Sequence, residues 1–129
     1  MVNLWLPLVD ANAENGCLEV IRGSHNCGIL PYNSGGAEDL VPESIPEGEV
    51  VCCPLQVGGV LMLQHKTVHR STPNFSDHIR WSLDIRYSDP ALPTGRDHVP
   101  GFLVRSVSQP NRVAKDHHDW LKLFAENED

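Results

Sequence analysis

Five short apolar segments separated by turn signals restrict this chain to a mainly β fold. They span residues 2–9, 17–21, 49–53, 60–64 and 81–87. Segments of five to eight apolar residues have the length of strands rather than of helices. Between them lie an Asn-Gly turn at residues 12–16, a Gly-Gly turn at 57–59 and a Pro-Asn loop at 72–77. This arrangement predicts an antiparallel sandwich or barrel.

Two of the segments carry a more specific prediction. Residues 60–64 form a continuous apolar run, which predicts a buried strand. Residues 81–87 alternate strictly between apolar and polar side chains, as a half-buried strand does. Residues 28–49 lack such periodicity and predict a long loop.

The composition of the sequence and its strand-like pattern change after Tyr87. Proline and glycine mark an irregular stretch, and from about Asp116 a helix is expected. Val113, Trp120 and Phe124 would share one face of that helix, with Asp116 as its N-cap. We therefore expect one domain over residues 1–129, with strands within 2–88 and an irregular stretch and helix within 89–129.

Charge and hydropathy narrow the classes of function and location. A net charge of −7 argues against nucleic-acid binding, because the phosphate backbone repels an acidic protein. The longest apolar run is far shorter than the roughly 20 residues that cross a bilayer, and no N-terminal signal pattern is present. We expect a cytoplasmic protein with no membrane contact. Its four cysteines form no C-x-x-C pair, so we expect no structural zinc site. In a cytoplasmic protein we expect these cysteines to be reduced.

Three polar residues near two strand ends suggest a binding site. His69 follows the strand at 60–64, Ser71 lies two residues later on the same side of an extended chain, and Arg80 begins the next strand. If those two strands are antiparallel neighbours, the side chains face one cavity. A neutral imidazole binds metals and a guanidinium holds a carboxylate. The alternative is structural: a hydrogen-bonded histidine, and an arginine paired with an acidic neighbour such as Asp84. Spacing alone leaves both interpretations open.

The wider string resembles a known family. Residues 5–25 contain a W-L-P-L-V-D strand, an E-N-G turn and a G-S-H loop. G-G-V follows at 58–60, then H-R-S at 69–71, P-N at 73–74 and R-W-S-L-D-I-R-Y at 80–87. The order and spacing of these motifs over residues 3–88 resemble the C-terminal part of the phytanoyl-CoA dioxygenase family of Fe(II)/2-oxoglutarate-dependent oxygenases.

This resemblance implies a fold and a site. The fold would be a double-stranded β-helix (a cupin-like jelly roll), or the larger part of one. His69 would be an iron ligand, Arg80 and Ser71 would bind the far carboxylate of 2-oxoglutarate, and Trp5 would line the barrel near that cofactor. The reaction would be hydroxylation of a small organic substrate, which the sequence does not identify. The loop at residues 23–25 would be a tight turn with a capping hydroxyl.

The sequence departs from the family in its iron site. The family's other histidine and its carboxylate come from an H-x-D motif upstream of the Trp5 strand, and no histidine here precedes His25. We interpret His117-His118-Asp119 as coincidental, because its ends lie about 200° apart on a helix. His65, His78 and His98 are expected at the surface or behind the site.

Two functions follow as alternatives. The chain is either an oxygenase that takes ligands from a partner chain or an upstream segment, or a catalytically silent jelly-roll protein for binding or oligomerisation, derived from a truncated oxygenase. An in-frame H-x-D upstream in the encoding DNA would favour the enzyme. In either case, open sheet edges lead us to expect a homo-oligomer.

Overall fold

The computed structural model describes residues 1–33, 40–89, 91–92 and 101–125, with only the backbone for 123–125. Within it, the chain divides into two compact units, residues 1–87 and residues 88–129. The boundary between the two units coincides with the change in composition after Tyr87 that the sequence shows.

The first unit consists of two three-stranded antiparallel sheets. One sheet has the strand order β4-β1-β6, and the other has the order β3-β2-β5. The strands are β1 (Val2–Pro7), β2 (Leu18–Ile21), β3 (Val50–Cys53), β4 (Leu61–Gln64), β5 (His69–Ser71) and β6 (Ser82–Tyr87). All five predicted strands are present, and β5 is an additional short one.

A small core joins the two sheets. Trp5 of β1 and Leu63 of β4 come from one sheet, and Leu18 of β2 comes from the other. Ala11 and Cys17 complete the buried cluster from the connection between β1 and β2. Because side chains alternate along a strand, this core fixes which face of each strand points toward the facing sheet.

The prediction of a buried strand at residues 60–64 was wrong in its burial. Leu63 is buried, but Met62 is 68% exposed and Val60 is 48% exposed. Leu63 packs in the core with Leu18 of the second sheet, whereas Met62 points to the opposite face of β4. The continuous apolar run at residues 60–64 therefore does not mean that both faces of the strand are buried.

Residues 81–87 form a strand as predicted, but the expected half-burial was wrong. The apolar side chains of β6 lie opposite those of β1, with Leu83 beside Leu6 and Ile85 beside Leu4. Leu83 remains 49% exposed and Tyr87 also 49% exposed. The polar residues that alternate with them, Ser82, Asp84 and Arg86, instead line the cavity between the two sheets.

The predicted loop at residues 28–49 contains some local structure. Pro42–Ser44 forms a single 3-10 turn, and an isolated antiparallel bridge links Tyr32 with Leu40. Residues 34–39 of this segment lie outside the described residues.

The second unit contains the expected helix, α1 (His117–Ala125). The Asp116 carboxylate accepts hydrogen bonds from the backbone N–H groups of His118 (2.9 Å) and Asp119 (3.0 Å), so the N-cap is confirmed. Val113 is not part of the helix; it forms a parallel bridge with Leu103. The Phe124 side chain, like His98, lies outside the described residues.

No helix among the described residues has the length and apolar character needed to cross a membrane.

Candidate cofactor site

An open cavity of about 250 Å³ lies between the two sheets of the first unit. Trp5, Leu63, Arg80 and Ser82 line it from one side. His69, Ser71 and Leu18 line it from the other. The four candidate residues from the sequence, His69, Ser71, Arg80 and Trp5, therefore share one cavity.

Arg80 is the most constrained of these side chains. Its Nε donates to the Gly16 carbonyl (3.1 Å), Nη1 to Ser82 Oγ (2.8 Å) and Nη2 to Ser71 Oγ (3.2 Å). Its guanidinium also lies over the Trp5 ring, 5.3 Å from the centroid, within cation–π range. Of the five N–H donors of a guanidinium, three are used, which leaves one on each terminal nitrogen.

This bonding bears on the structural interpretation of Arg80, which predicted pairing with an acidic neighbour such as Asp84. Its hydrogen bonds within the described ranges go to a carbonyl and two hydroxyls, and none goes to Asp84. The positive charge therefore lies against neutral acceptors and an aromatic face. A planar cation with a free N–H on each terminal nitrogen can take a carboxylate through two parallel hydrogen bonds.

His69 begins β5 and is held by a local hydrogen bond. Its Nδ1 lies 2.8 Å from the Thr67 carbonyl oxygen. Because a carbonyl only accepts, Nδ1 must carry the proton, and the neutral ring then presents an unprotonated Nε2. A metal-binding histidine uses the same arrangement, with one ring nitrogen bonded to a carbonyl and the other free for the metal.

Ser24 fixes the backbone next to His69. Its side chain is 2% exposed, and Oγ accepts a hydrogen bond from the Val68 N–H at 2.8 Å. The Val68 carbonyl in turn accepts from Ile21 N–H at 3.0 Å. The expected role of this hydroxyl as a cap of its own turn was wrong, since the 3-10 turn Ser24–Cys27 has no side-chain cap.

The route by which His69 and Arg80 meet differs from the predicted one. Their strands are not neighbours in one sheet: β5 pairs with β2, whereas β6 pairs with β1. The two residues approach across the gap between facing sheets. The two strands are therefore not the antiparallel neighbours that the prediction assumed, but the shared cavity that it predicted is present.

Hydrogen bonds to the end of the turn at residues 12–16 connect the two sides of the cavity. The Cys17 carbonyl accepts from Thr72 N–H (3.1 Å) and Thr72 Oγ (3.0 Å), and the neighbouring Gly16 carbonyl accepts from Arg80. Gly16 has φ 89°, and a Cβ there would lie 2.8 Å from the Thr72 carbonyl oxygen. Only glycine fits both this conformation and this close approach.

Asn3 is a cavity residue that our sequence reasoning missed. It lies on the inward face of β1, opposite Leu63 and Arg86. Its Oδ1 is buried and accepts no hydrogen bond from the residues that the structure describes. The available signal was an amide at an inward position of an otherwise apolar strand. A buried acceptor without a partner is uncommon, and here it lines a cavity large enough for a small ligand.

Among the residues that the structure describes, the other histidines show no comparable arrangement. His65 and His78 are exposed, as expected. In the second unit, the His117 and His118 ring centroids lie 3.8 Å apart with the ring planes tilted by 39°, and the Asp119 carboxylate pairs with Lys122 at 2.7 Å. The described part of the chain contains no group of three histidine, cysteine or acidic residues placed to hold a metal.

Comparison with known proteins identifies the family. The phytanoyl-CoA dioxygenase (PhyH) family model matches residues 1–82, more than half of the chain. This chain belongs to the phytanoyl-CoA dioxygenase family.

The curated relatives that match this chain are longer proteins than the chain itself. Phytanoyl-CoA dioxygenase domain-containing protein 1 of Rattus norvegicus is 36% identical over 99 residues, and that of Mus musculus is 31% identical over 99 residues. Each match covers 70% of this chain and 34% of the relative. The chain thus spans about a third of the length of the curated relatives it matches.

Solved structures extend the comparison to the fold. EvdMO1 is 38% identical with a TM-score of 0.55, over 70% of this chain and 20% of that chain. The epimerase SnoN, in complex with Fe3+, alpha ketoglutarate and nogalamycin RO, is 28% identical with a TM-score of 0.51, over 64% of this chain and 33% of that chain. The expectation of a mainly β jelly roll is confirmed by these matches and by the two facing antiparallel sheets.

Proposed function

We propose that this phytanoyl-CoA dioxygenase family chain supplies the 2-oxoglutarate-binding side of an oxygenase site that hydroxylates a small organic substrate. The observation that carries the proposal is the fixed guanidinium of Arg80, hydrogen-bonded to Gly16, Ser71 and Ser82 and in cation–π range of Trp5. Its free donors and the cavity beside it suit a dicarboxylate.

The chemistry of the pocket favours a carboxylate over a neutral ligand. An ordered guanidinium loses little further side-chain entropy when a ligand binds, so more of the hydrogen-bond energy appears as affinity. Ser71 Oγ already accepts from Arg80, and its own hydroxyl hydrogen is free to donate to the same carboxylate. Trp5 restricts water on one face of the cation, which strengthens its attraction for an anion.

His69 fits the role of one iron ligand. Its Nδ1 contact with Thr67 leaves Nε2 as the coordinating atom. Iron bound there would supply the oxidative chemistry of the family by using O₂ and 2-oxoglutarate. Arg80 and Ser71 would hold the keto acid and His69 would supply one metal ligand, and the further metal ligands would come from a partner chain or another segment.

Ligand titration followed by NMR tests this proposal without requiring activity. N-oxalylglycine or 2-oxoglutarate should shift the signals of residues 69–71 and 80–82. Arg80→Ala should abolish these shifts, whereas Arg22→Ala should not, because Arg22 pairs with Glu49 at 2.7 Å outside the cavity. Equal shifts in Arg80→Ala would overturn the proposed site and leave only family membership.

The second candidate is a catalytically silent jelly roll that assembles with itself. A specific observation favours it: the face of the β4-β1-β6 sheet opposite the cavity side is largely apolar. We call it the outer face, and it comprises Val2, Leu4, Leu6, Met62, Leu83, Ile85 and Tyr87, together with the uncharged Gln64. Of these residues, Ile85 also contributes to the cavity lining.

The composition of the outer face suits a second copy of this chain. None of its residues is charged, although the whole chain carries −7. Two acidic chains repel each other least where neither presents charge, so pairing through this face is favoured over other faces. Exposed apolar faces of this kind mark interaction surfaces.

A further inference from the structure

The sulfur atoms of Cys17 and Cys52 lie 3.1 Å apart, although the residues are 35 positions apart in the sequence. Cys17 immediately precedes β2, and Cys52 lies in the paired strand β3. A disulfide has an S–S length of about 2 Å. The two thiols therefore need to approach by only about 1 Å, which is within the reach of small χ1 adjustments.

The two cysteines differ in their access to solvent. Cys17 is fully buried, at 0% exposure, whereas Cys52 is exposed. A reagent in solution therefore reaches Cys52 first, with Cys17 directly behind it. Burial, followed by the contact with Cys52, raises the pKa of the Cys17 thiol to about 11, so Cys17 is mostly protonated near neutral pH and Cys52 is the first of the two to react.

The other two thiols are placed differently. Cys53 follows Cys52 in β3, so its side chain points to the other face of the strand, and its Sγ contacts the Val51 carbonyl at 3.6 Å. Cys27 is exposed in the turn after β2. Among the described contacts, the Cys17–Cys52 pair alone brings two sulfur atoms together.

We propose that Cys17 and Cys52 form a reversible disulfide, a modification site whose oxidant is a low-molecular-weight disulfide. The Cys52 thiolate attacks the small disulfide, forms a mixed disulfide and releases one small thiol. The Cys17 thiolate then attacks the Cys52 sulfur, closes the protein disulfide and releases the second small thiol. The two protein thiols are oxidised, the small disulfide is reduced to two thiols, and both thiol protons end on those products.

The position of this pair connects it with the cavity. The Gly16 carbonyl, one residue before Cys17, accepts from Arg80 Nε, and the Cys17 carbonyl accepts from Thr72. A covalent bond at Cys17 therefore acts on the backbone that positions Arg80. Oxidation should shift the Arg80 Nε–H signal in an NMR spectrum of the chain, with no added ligand.

Thiol counting after incubation with oxidised glutathione tests the proposal. We expect a Cys17–Cys52 cross-linked peptide by mass spectrometry, with glutathione attached at most to the exposed Cys27, full reversal by dithiothreitol and a higher midpoint of thermal unfolding. Cys27→Ser is the matched control and should give the same cross-link. Cys17→Ser should instead leave glutathione attached to Cys52, because no second thiol lies behind it.

Three outcomes would overturn the proposal. One is a chain that keeps all four thiols under conditions that oxidise a free dithiol. The second is a cross-link to Cys27 or Cys53 in place of the expected pair. The third is a Cys52→Ser variant that still loses two thiols within one chain. Cys52 is exposed, so this variant should fold even if Cys17→Ser does not.

Discussion

Ser24 accepts a hydrogen bond of 2.8 Å from the backbone of Val68, the residue before His69. This bond spans 44 positions of sequence and fixes the start of β5 against the turn that follows β2. The His69 ring is then oriented by Thr67, one residue before Val68. A buried hydroxyl distant in sequence therefore determines where the candidate metal ligand lies.

Ser24→Ala should destabilise the fold and disturb His69 together. Removing the hydroxyl leaves the partly buried Val68 N–H without this partner, which costs up to about 1–3 kcal/mol. Urea unfolding measures this loss, and the chemical shifts of the His69 ring report the displacement. Ser44→Ala is the control, since its hydroxyl donates to Val41 in a local turn. Equal losses in the two variants would contradict a special role for Ser24.

Metal binding by the isolated chain should be weak. The described residues offer His69 but no cluster of three suitable ligands, and tight sites for iron use several ligands. Calorimetric titration with Mn(II) or Fe(II) should show no tight stoichiometric binding. The weak binding that remains should disappear in His69→Ala and persist in His65→Ala. Tight binding would show that other residues coordinate, and His117 with Asp119 would be examined first.

Stability should fall at alkaline pH because of Cys17. Its pKa rises in the fold from an ordinary value of 9.0 to about 11, chiefly through burial. The unfolded chain therefore releases this proton first, so the stabilisation present below pH 9 is lost as the pH rises toward 11. Unfolding free energies measured across that range should decrease, and Cys17→Ala should show a smaller decrease. An identical slope in the variant would assign the effect to other groups.

The chain should self-associate through the outer face. Static light scattering at dilute concentration should give a mass of at least a dimer. Leu83→Glu places a charge in that face and should shift the mass to a monomer. Ile29→Glu is the control, because Ile29 is 80% exposed but lies outside the face. A cooperative, stable monomer of the unsubstituted chain would contradict the proposed assembly.

Local rules predicted much of this fold. The Asn-Gly turn and the Asp116 cap depend on interactions between near neighbours, and both are present. The strand at residues 81–87 was predicted from its own alternating pattern and is also present. Burial was not predicted in the same way. Met62 and Leu83 are apolar yet exposed, because the side of a strand that is covered depends on which sheet faces it and not on the strand's own sequence.

The sequence by itself determined the strands, the acidic charge, the family motifs and the short list of His69, Ser71, Arg80 and Trp5. Only the tertiary structure decided that these side chains meet across two sheets, that Ser24 supports His69, and that Cys17 lies against Cys52. The physical reason is that these contacts join residues tens of positions apart. Such distances are set by strand pairing and by the packing of one sheet on the other, which no short stretch of sequence encodes.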